Sequence, residues 1–371
     1  MIPTLARILG MTFLCALWVG PLAAQKWTTQ FFYDKDKSRF EITDLQFPSA
    51  TRGVAVGAIE DGKRRDGMSY VTSDGGATWN PLALREIPLS VFFLNENVGW
   101  LVTTKGLWQT AEAGKSWRKL PHSPGQIYRV FFLNEKDGWA VGPKKTALET
   151  HDGGAKWLPV AVAADQPGEP NYSAYTWVAF ANAKFGVISG WNIPPRRFAP
   201  ERPEWVDPEA TLHMRETPHL SYLLSTGDGG KTWKPSAASL FGTVSKIRLR
   251  QNGDGLGLIE YAESFRYPSE AYFIDWATGR NRTVYRDAKF AVSDVWLASD
   301  GTAYLSGNLV QGQLRSVIPG KVQVMSSKDL QVWKTMDVDY RASALRTMLA
   351  APDDQNIWMA TNTGMILKLV R

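Results

Sequence analysis

The stretch VFFLNENVGWLV, residues 91–102, returns almost unchanged as VFFLNEKDGWAV at 130–141. Each copy has two short β-branched or aromatic halves around a centre of Asn, Asp, Glu and Gly, the pattern of strand, turn, strand. Looser copies stand at 44–57 (DLQFPSATRGVAVG), 177–190 (WVAFANAKFGVISG), 246–260 (KIRLRQNGDGLGLIE), 295–307 (VWLASDGTAYLSG) and 347–361 (TMLAAPDDQNIWMAT). Seven such hairpins in 371 residues imply a repeat architecture that spends the whole length on one closed unit.

A second motif follows the hairpins. TSDGGATW ends at Trp79, TAEAGKSW at Trp117, THDGGAKW at Trp157 and TGDGGKTW at Trp233. The first three Trp fall 38 and 40 residues apart, the length of one four-stranded propeller blade. Asp74, Glu112, Asp152 and Asp228 sit where an acceptor can bond the turn's own N–H groups, and Gly76, Gly114, Gly154 and Gly230 can take positive φ. The motif resembles the Asp box, or BNR repeat, of β-propellers, and it reads as a fastener. It falls between the two outer strands of separate blades, so its carboxylates cannot converge on one substrate. Two blades depart from it: FIDWATGRNRTVY (273–285) replaces it, and SSKDLQVW (326–333) places Lys328 at the acidic position.

The last blade lacks a strand after TGMILKLVR, whereas KWTTQFF at 26–32 resembles the strand that follows each motif. The expectation is an all-β, seven-bladed β-propeller of four-stranded antiparallel blades over residues 26–371. The N-terminal strand would close the ring and Trp27 would serve as the seventh blade's Trp. Residues 191–220 are then an insertion in blade four, and no helix longer than a turn or two is expected.

The N-terminus, MIPTLARILGMTFLCALWVGPLAAQ, has one positive charge, an apolar run and a Gly-Pro break before small residues. It reads as a signal peptide over residues 1–24, cleaved near Ala24, with an uncleaved anchor as the alternative. The chain is therefore expected to be exported, to a periplasm, a lumen or the medium. Cys15 is the one cysteine and would leave with the leader, so no disulfide or thiolate site is expected. The formal net charge of +6 is mild and of mixed distribution, which gives no case for nucleic acid. His213 and His219 lie six apart in a polar segment and do not form a metal-ligand spacing. No metal, cofactor or catalytic residue is assigned, and a monomer is expected.

In such a ring the connections from second to third strand all lie on one face, and the irregular segments 58–68, 191–220, 261–271 and 308–321 all fall there. They contain Lys63, Arg64 and Arg65 in the first segment and Arg196, Arg197, Arg202 and Arg215 in the second. Arg266 lies in the third and Arg315 in the fourth. Interleaved aromatics and forked guanidinium donors suit an anionic partner. The alternative is a solvated mixed-charge surface, because Glu60, Asp61, Glu201, Glu204, Asp207 and Glu209 share these segments.

Sialidases also carry Asp boxes, but their Arg-Ile-Pro signature near the mature start is absent, and NIPPRR is no match in order or position. The hairpins of the type F-x-[ND]-x-x-x-G-W-x-V-G most resemble the photosystem II assembly factor family of the Ycf48 or HCF136 type, over nearly the whole mature chain and most closely over 85–160. The resemblance implies a seven-bladed, non-enzymatic scaffold with a basic patch, binding an assembling membrane protein on the lumenal or periplasmic side. The 30-residue insertion at 191–220 departs from that family, and the arginines do not match it one by one. The alternative function is a glycan-binding or glycoside-hydrolysing propeller with paired carboxylates in the central funnel.

Overall fold

A computed structural model describes residues 25–195, 218–261, 266–310 and 319–371. Strands between Lys26 and Val370 form seven sheets, each containing four antiparallel strands. Every hairpin read from the sequence forms the first two strands of a blade, from Ser38–Gln46 with Gly53–Asp61 in blade 1 to Thr347–Ala350 with Trp358–Thr361 in blade 7. The outer strands vary more. Blade 4 ends in Lys234–Leu240, whereas blades 2, 3 and 6 end in the two-residue strands Arg118–Lys119, Leu158–Pro159 and Lys334–Thr335. Among the described residues the helices are Ala161–Ala164 and the 3-10 turn Pro170–Tyr172.

The ring closes through the N-terminal strand. Lys26–Phe32 pairs antiparallel with Met365–Val370, and Trp27, opposite Leu369, is fully buried among the core residues that join blades 6 and 7. The short strand Asp337–Val338 pairs parallel with Lys26 and Trp27 on the other side, and Thr29 Oγ1 donates to Asp339 Oδ2 at 2.8 Å. The closing strand is therefore held along both edges at its start, which removes the open edge of a linear array.

The repeated Phe, Gly and Trp explain how blades stack. In blade 2 the Gly99 Cβ position lies against the Phe93 ring, so only Gly lets that ring fold over its own hairpin, and the same holds for Gly138 under Phe132. The Trp after each Gly then meets the Phe of the next blade: Trp100 stacks on Phe132 with centroids 3.7 Å apart and planes 5° from parallel, and Trp139 meets Phe180 at 4.3 Å. Across the closure Trp358 stacks on Phe47 at 3.6 Å. The motif Trp completes each cluster edge-on, Trp79 to Phe47, Trp117 to Phe93, Trp157 to Phe132 and Trp233 to Phe180. Offset and edge-on aromatic pairs add to the area they bury.

The motif turns lie on the outer rim. Thr72 Oγ1 donates to Asp74 Oδ1 at 2.8 Å and accepts from Gly76 N, while Thr78 N donates to Asp74 Oδ1 at 2.9 Å. The same bonds recur from Thr150 to Asp152 and from Thr226 to Asp228. Bonds from Thr78, through its side chain and backbone, and from Thr72 hold the Asp74 carboxyl down at about 2. In the second copy Gly114 N donates to Thr110 Oγ1, and Glu112 accepts from Ser116 instead of from a backbone N–H. In blade 6 the acceptor is not at Lys328. Asp329 accepts from Ser327 Oγ and from the N–H groups of Gln331 and Val332, because the turn is one residue shorter and is counted from Ser327, not from Trp333.

These turns fasten neighbours as well as hairpins. Trp358 Nε1 of blade 7 donates to Gly75 O of blade 1, and a Cβ on Gly230 of blade 4 would collide with the Trp139 indole of blade 3. Gly230→Ala, at φ +86°, should therefore destabilise by about 2–4 kcal/mol. Gly62→Ala, at φ +60° with open space around it, should cost about 1 kcal/mol. Urea midpoints measured on the two variants check the difference.

Candidate functional site

The seven first strands line a central cavity of about 800 Å³. Their pairing superposes one position per blade: Asp44, Ser90, Arg129, Trp177, Lys246, Asp294 and Thr347 each pair with the residue three beyond the start of the second strand's ladder, from Val56 in blade 1 to Thr361 in blade 7. In blades 1, 2, 4, 5 and 6 a single-residue bulge precedes that position. Such bulges re-aim side chains next to functional sites. Four of the seven residues are charged, and they form one level of the channel.

The two carboxylates at this level serve the fold. Asp294 is fully buried and accepts from Val295 N and from Leu349 N of blade 7 at 2.8 and 2.9 Å. Its oxygens also take Arg248 in a two-pronged contact and Lys246 Nζ at 2.7 Å. Burial pushes the Asp294 carboxyl up, but Arg248 and Lys246 outweigh burial and bring it to about 2. It cannot donate a proton near neutral pH. Asp44 accepts from Leu45 N and from Val91 N of blade 2, and Arg129 Nη1 lies 3.3 Å from it.

The cations converge on one indole. The Arg129 guanidinium lies 4.3 Å from the Trp177 ring centroid, Lys246 Nζ 5.8 Å and the Arg248 guanidinium 5.9 Å, and Trp177 Nε1 donates to Ile247 O at 2.7 Å. Burial lowers the Lys246 pKa against the pull of Asp294. None of these residues was singled out from the sequence. The readable signal was a polar or aromatic residue three before a large apolar one, Phe47, Phe93, Phe132, Phe180, Leu249 or Leu297, a common offset that acquires meaning once the hairpins are superposed as a ring.

The sequence-derived surface is placed differently from residue to residue. Residues 58–61 and 64–68 are paired strands joined at Gly62 and Lys63, not a loop, because Glu60 faces Arg65 and Asp61 faces Arg64 across the ladder. Lys63 is exposed in that turn. Arg64 pairs with Asp66 at 2.6 Å, and Arg65 reaches Glu41 at 2.6 Å and Glu60 at 3.4 Å. Arg266 is exposed and lies 5.3 Å from the Tyr267 ring. Arg196, Arg197, Arg202, Arg215 and Arg315 lie outside the described residues.

Blade 5, which lacks the motif, adds a basic rim that the sequence reading passed over. Arg280, Arg282 and Arg286 are exposed along its outer strand Arg280–Arg286, with Arg282 over Phe273 and Arg286 over Tyr267. Alternation puts Arg280 and Arg282 on one side of the strand, and the bulge between Thr283 and Tyr285 turns Arg286 to the other.

One face carries most of the exposed large apolar side chains. Phe32, Tyr128, Tyr172, Ile193, Phe241 and Leu345 are six of the ten large apolar side chains exposed among the described residues. Each stands where a blade's first strand begins or where its second or fourth ends, the side opposite the motif turns. Among the described residues no group of His, Cys, Asp and Glu is arranged to hold a metal ion, and no helix is long and apolar enough to cross a membrane.

Together these features define a closed seven-bladed β-propeller with a charged channel and one apolar face. No protein-family model matches the chain. In sequence it is similar to the photosystem II assembly lipoprotein Ycf48 of Trichormus variabilis, 25% identical over 243 residues that take in 61% of this chain and 65% of that protein, just short of two thirds of the relative's length. In fold it is similar to YCF48 bound to D1 peptide, with a TM-score of 0.57, 15% identity and coverage of 92% of this chain and 99% of that one. YCF48 from Cyanidioschyzon merolae gives 0.56 at 16% identity, covering 94% and 98%. The GH74 xyloglucanase from Xanthomonas campestris gives 0.59 at 13% identity, covering 92% of this chain and 53% of that one. At these identities the solved structures share the fold alone. The chain is Ycf48-like in sequence and in fold.

Proposed function

We propose that this protein is an exported, non-enzymatic assembly scaffold that holds a protein partner on the face opposite the motif turns. The observation that carries the reading is the concentration of exposed apolar side chains on that face, around the mouth of the channel. Scattered single apolar residues need no explanation, but a group on one face marks an interaction surface. Arg286, at the far end of blade 5's outer strand, and Arg266 border it, so opposite charge on the partner would speed encounter and fix orientation. The likeness to Ycf48 supports a partner that is a membrane protein or complex on the extracytoplasmic side. The carboxylates of the channel level are committed to backbone and cations, which speaks against a glycosidase pair there.

The test is capture from the native envelope with Tyr172→Ser/Phe241→Ser, compared with Val332→Ser in a motif turn on the other face. The first variant should lose at least about tenfold in retained partner, equivalent to about 1.4 kcal/mol, and the second should bind as wild type. Melting temperatures near wild type for both would separate docking from folding. Equal capture by all three proteins, or turnover of a glycan abolished by Asp44→Asn, would reject the scaffold reading.

A further inference from the structure

We propose that the middle of the channel binds one oxyanion, a carboxylate or a phosphate, between Arg129 and Lys246 beside the indole of Trp177. The site would exist whether or not a protein docks on the face above it.

Every carboxylate lining the cavity has partners: Asp44 as described, Glu260 with Arg346, and Glu41 with Arg65 nearer the mouth, and Asp294, buried behind the lining, is satisfied as described. The cations are not matched in the same way. Arg129, Lys246 and Arg248 face two carboxylates at their level, which leaves one positive charge without a counter-charge. Arg248 spends its Nε and Nη2 on Asp294 and on Leu349 O at 2.8 Å. Arg129 has a single ion-pair contact, at 3.3 Å, for a guanidinium with five N–H donors, and Lys246 has Asp294 alone for an ammonium with three. Both side chains are largely withdrawn from solvent, at 24% and 15% exposed.

Unused charged donors at low exposure are costly unless an acceptor reaches them. A carboxylate or phosphate oxygen pair fits the in-plane fork of Arg129, whose face is occupied by the Trp177 ring, and a remaining lone pair can reach Lys246. The indole is locked by its bond to Ile247 O, so the platform under the guanidinium is set before any ligand arrives. Burial disfavours the charged ammonium of Lys246, and an anion beside it would restore that form.

Calorimetric titration of the full chain with sodium acetate and with inorganic phosphate, at constant ionic strength in chloride, tests the site. Two peptides identical except for Glu against Gln form a second arm. One saturable site is expected, with affinity reduced about tenfold or more in Arg129→Gln and in Lys246→Gln and unchanged in Lys63→Gln. Arg129→Gln leaves Asp44 with its two backbone donors, so it is expected to fold. In wild-type protein the same anions should slow acetylation of Lys246 by acetic anhydride, read by peptide mass mapping, which needs no variant. Saturation by free acetate or phosphate identifies a small free anion as sufficient, and saturation by the Glu peptide alone identifies a docked chain as the source. Either result supports the site. Heats no larger than in chloride for every probe, or titrations unchanged in both channel variants, would overturn it.

Discussion

Deleting residues 26–32 is expected to leave most of the protein unfolded at 25 °C. Trp27 alone is a fully buried side chain, and replacing it with Ala should cost about 3–5 kcal/mol. Losing the whole strand also exposes the Met365–Val370 edge and abandons the bonds to Asp337–Val338 and Asp339. Against a total stability of about 5–15 kcal/mol, those losses together are decisive. The blades depend on one another through the Phe–Trp stacks, so an open ring loses the Trp358–Phe47 contact across the gap as well. Urea denaturation followed by Trp fluorescence should show a transition shifted to far lower urea or no folded baseline. A truncated chain with a wild-type midpoint would mean that the first strand does not close the ring.

Asp294→Asn should be the most damaging single change inside the channel, at about 3–5 kcal/mol, because it leaves the largely buried Arg248 and Lys246 without their counter-charge. The pH dependence has a definite sign. The folded carboxyl lies near 2 and the unfolded one near the ordinary value of about 3.9, so the native state holds fewer protons between them. The stability contributed by Asp294 is present above about pH 4 and is lost as pH falls towards 2. Wild-type protein should therefore lose stability over that interval more steeply than Asp294→Asn. Equal slopes for the two, measured by denaturant midpoints at a series of pH values, would contradict the assigned ion-pair geometry.

What the sequence made legible follows from repetition. The hairpin recurs with Phe, Gly and Trp at fixed offsets because each has a steric task in every blade, so seven copies could be counted from text. The closing strand was legible because KWTTQFF repeats the Trp-led strand text that follows each motif. The slip at Lys328 arose from aligning a turn by its Trp when Ser327 and Asp329 set its geometry. The charged segment 58–68 read as a loop, because alternating Arg and acidic residues look like solvent-facing irregular chain until their cross-strand pairing is seen. The channel residues escaped notice for a different reason. Arg129, Trp177, Lys246 and Asp294 belong to separate blades, far apart in sequence, and only closure of the ring brings them to one level.

The most direct measurement of the scaffold reading is hydrogen exchange by mass spectrometry on the protein with and without a partner captured from the envelope. Protection is predicted at the connections around Tyr128, Tyr172, Ile193, Phe241 and Leu345, with the motif turns at 73–78, 151–156 and 227–232 unchanged. Protection confined to those turns and to the hairpin tips at 94–98 and 133–137 would place the partner on the opposite face and contradict the account.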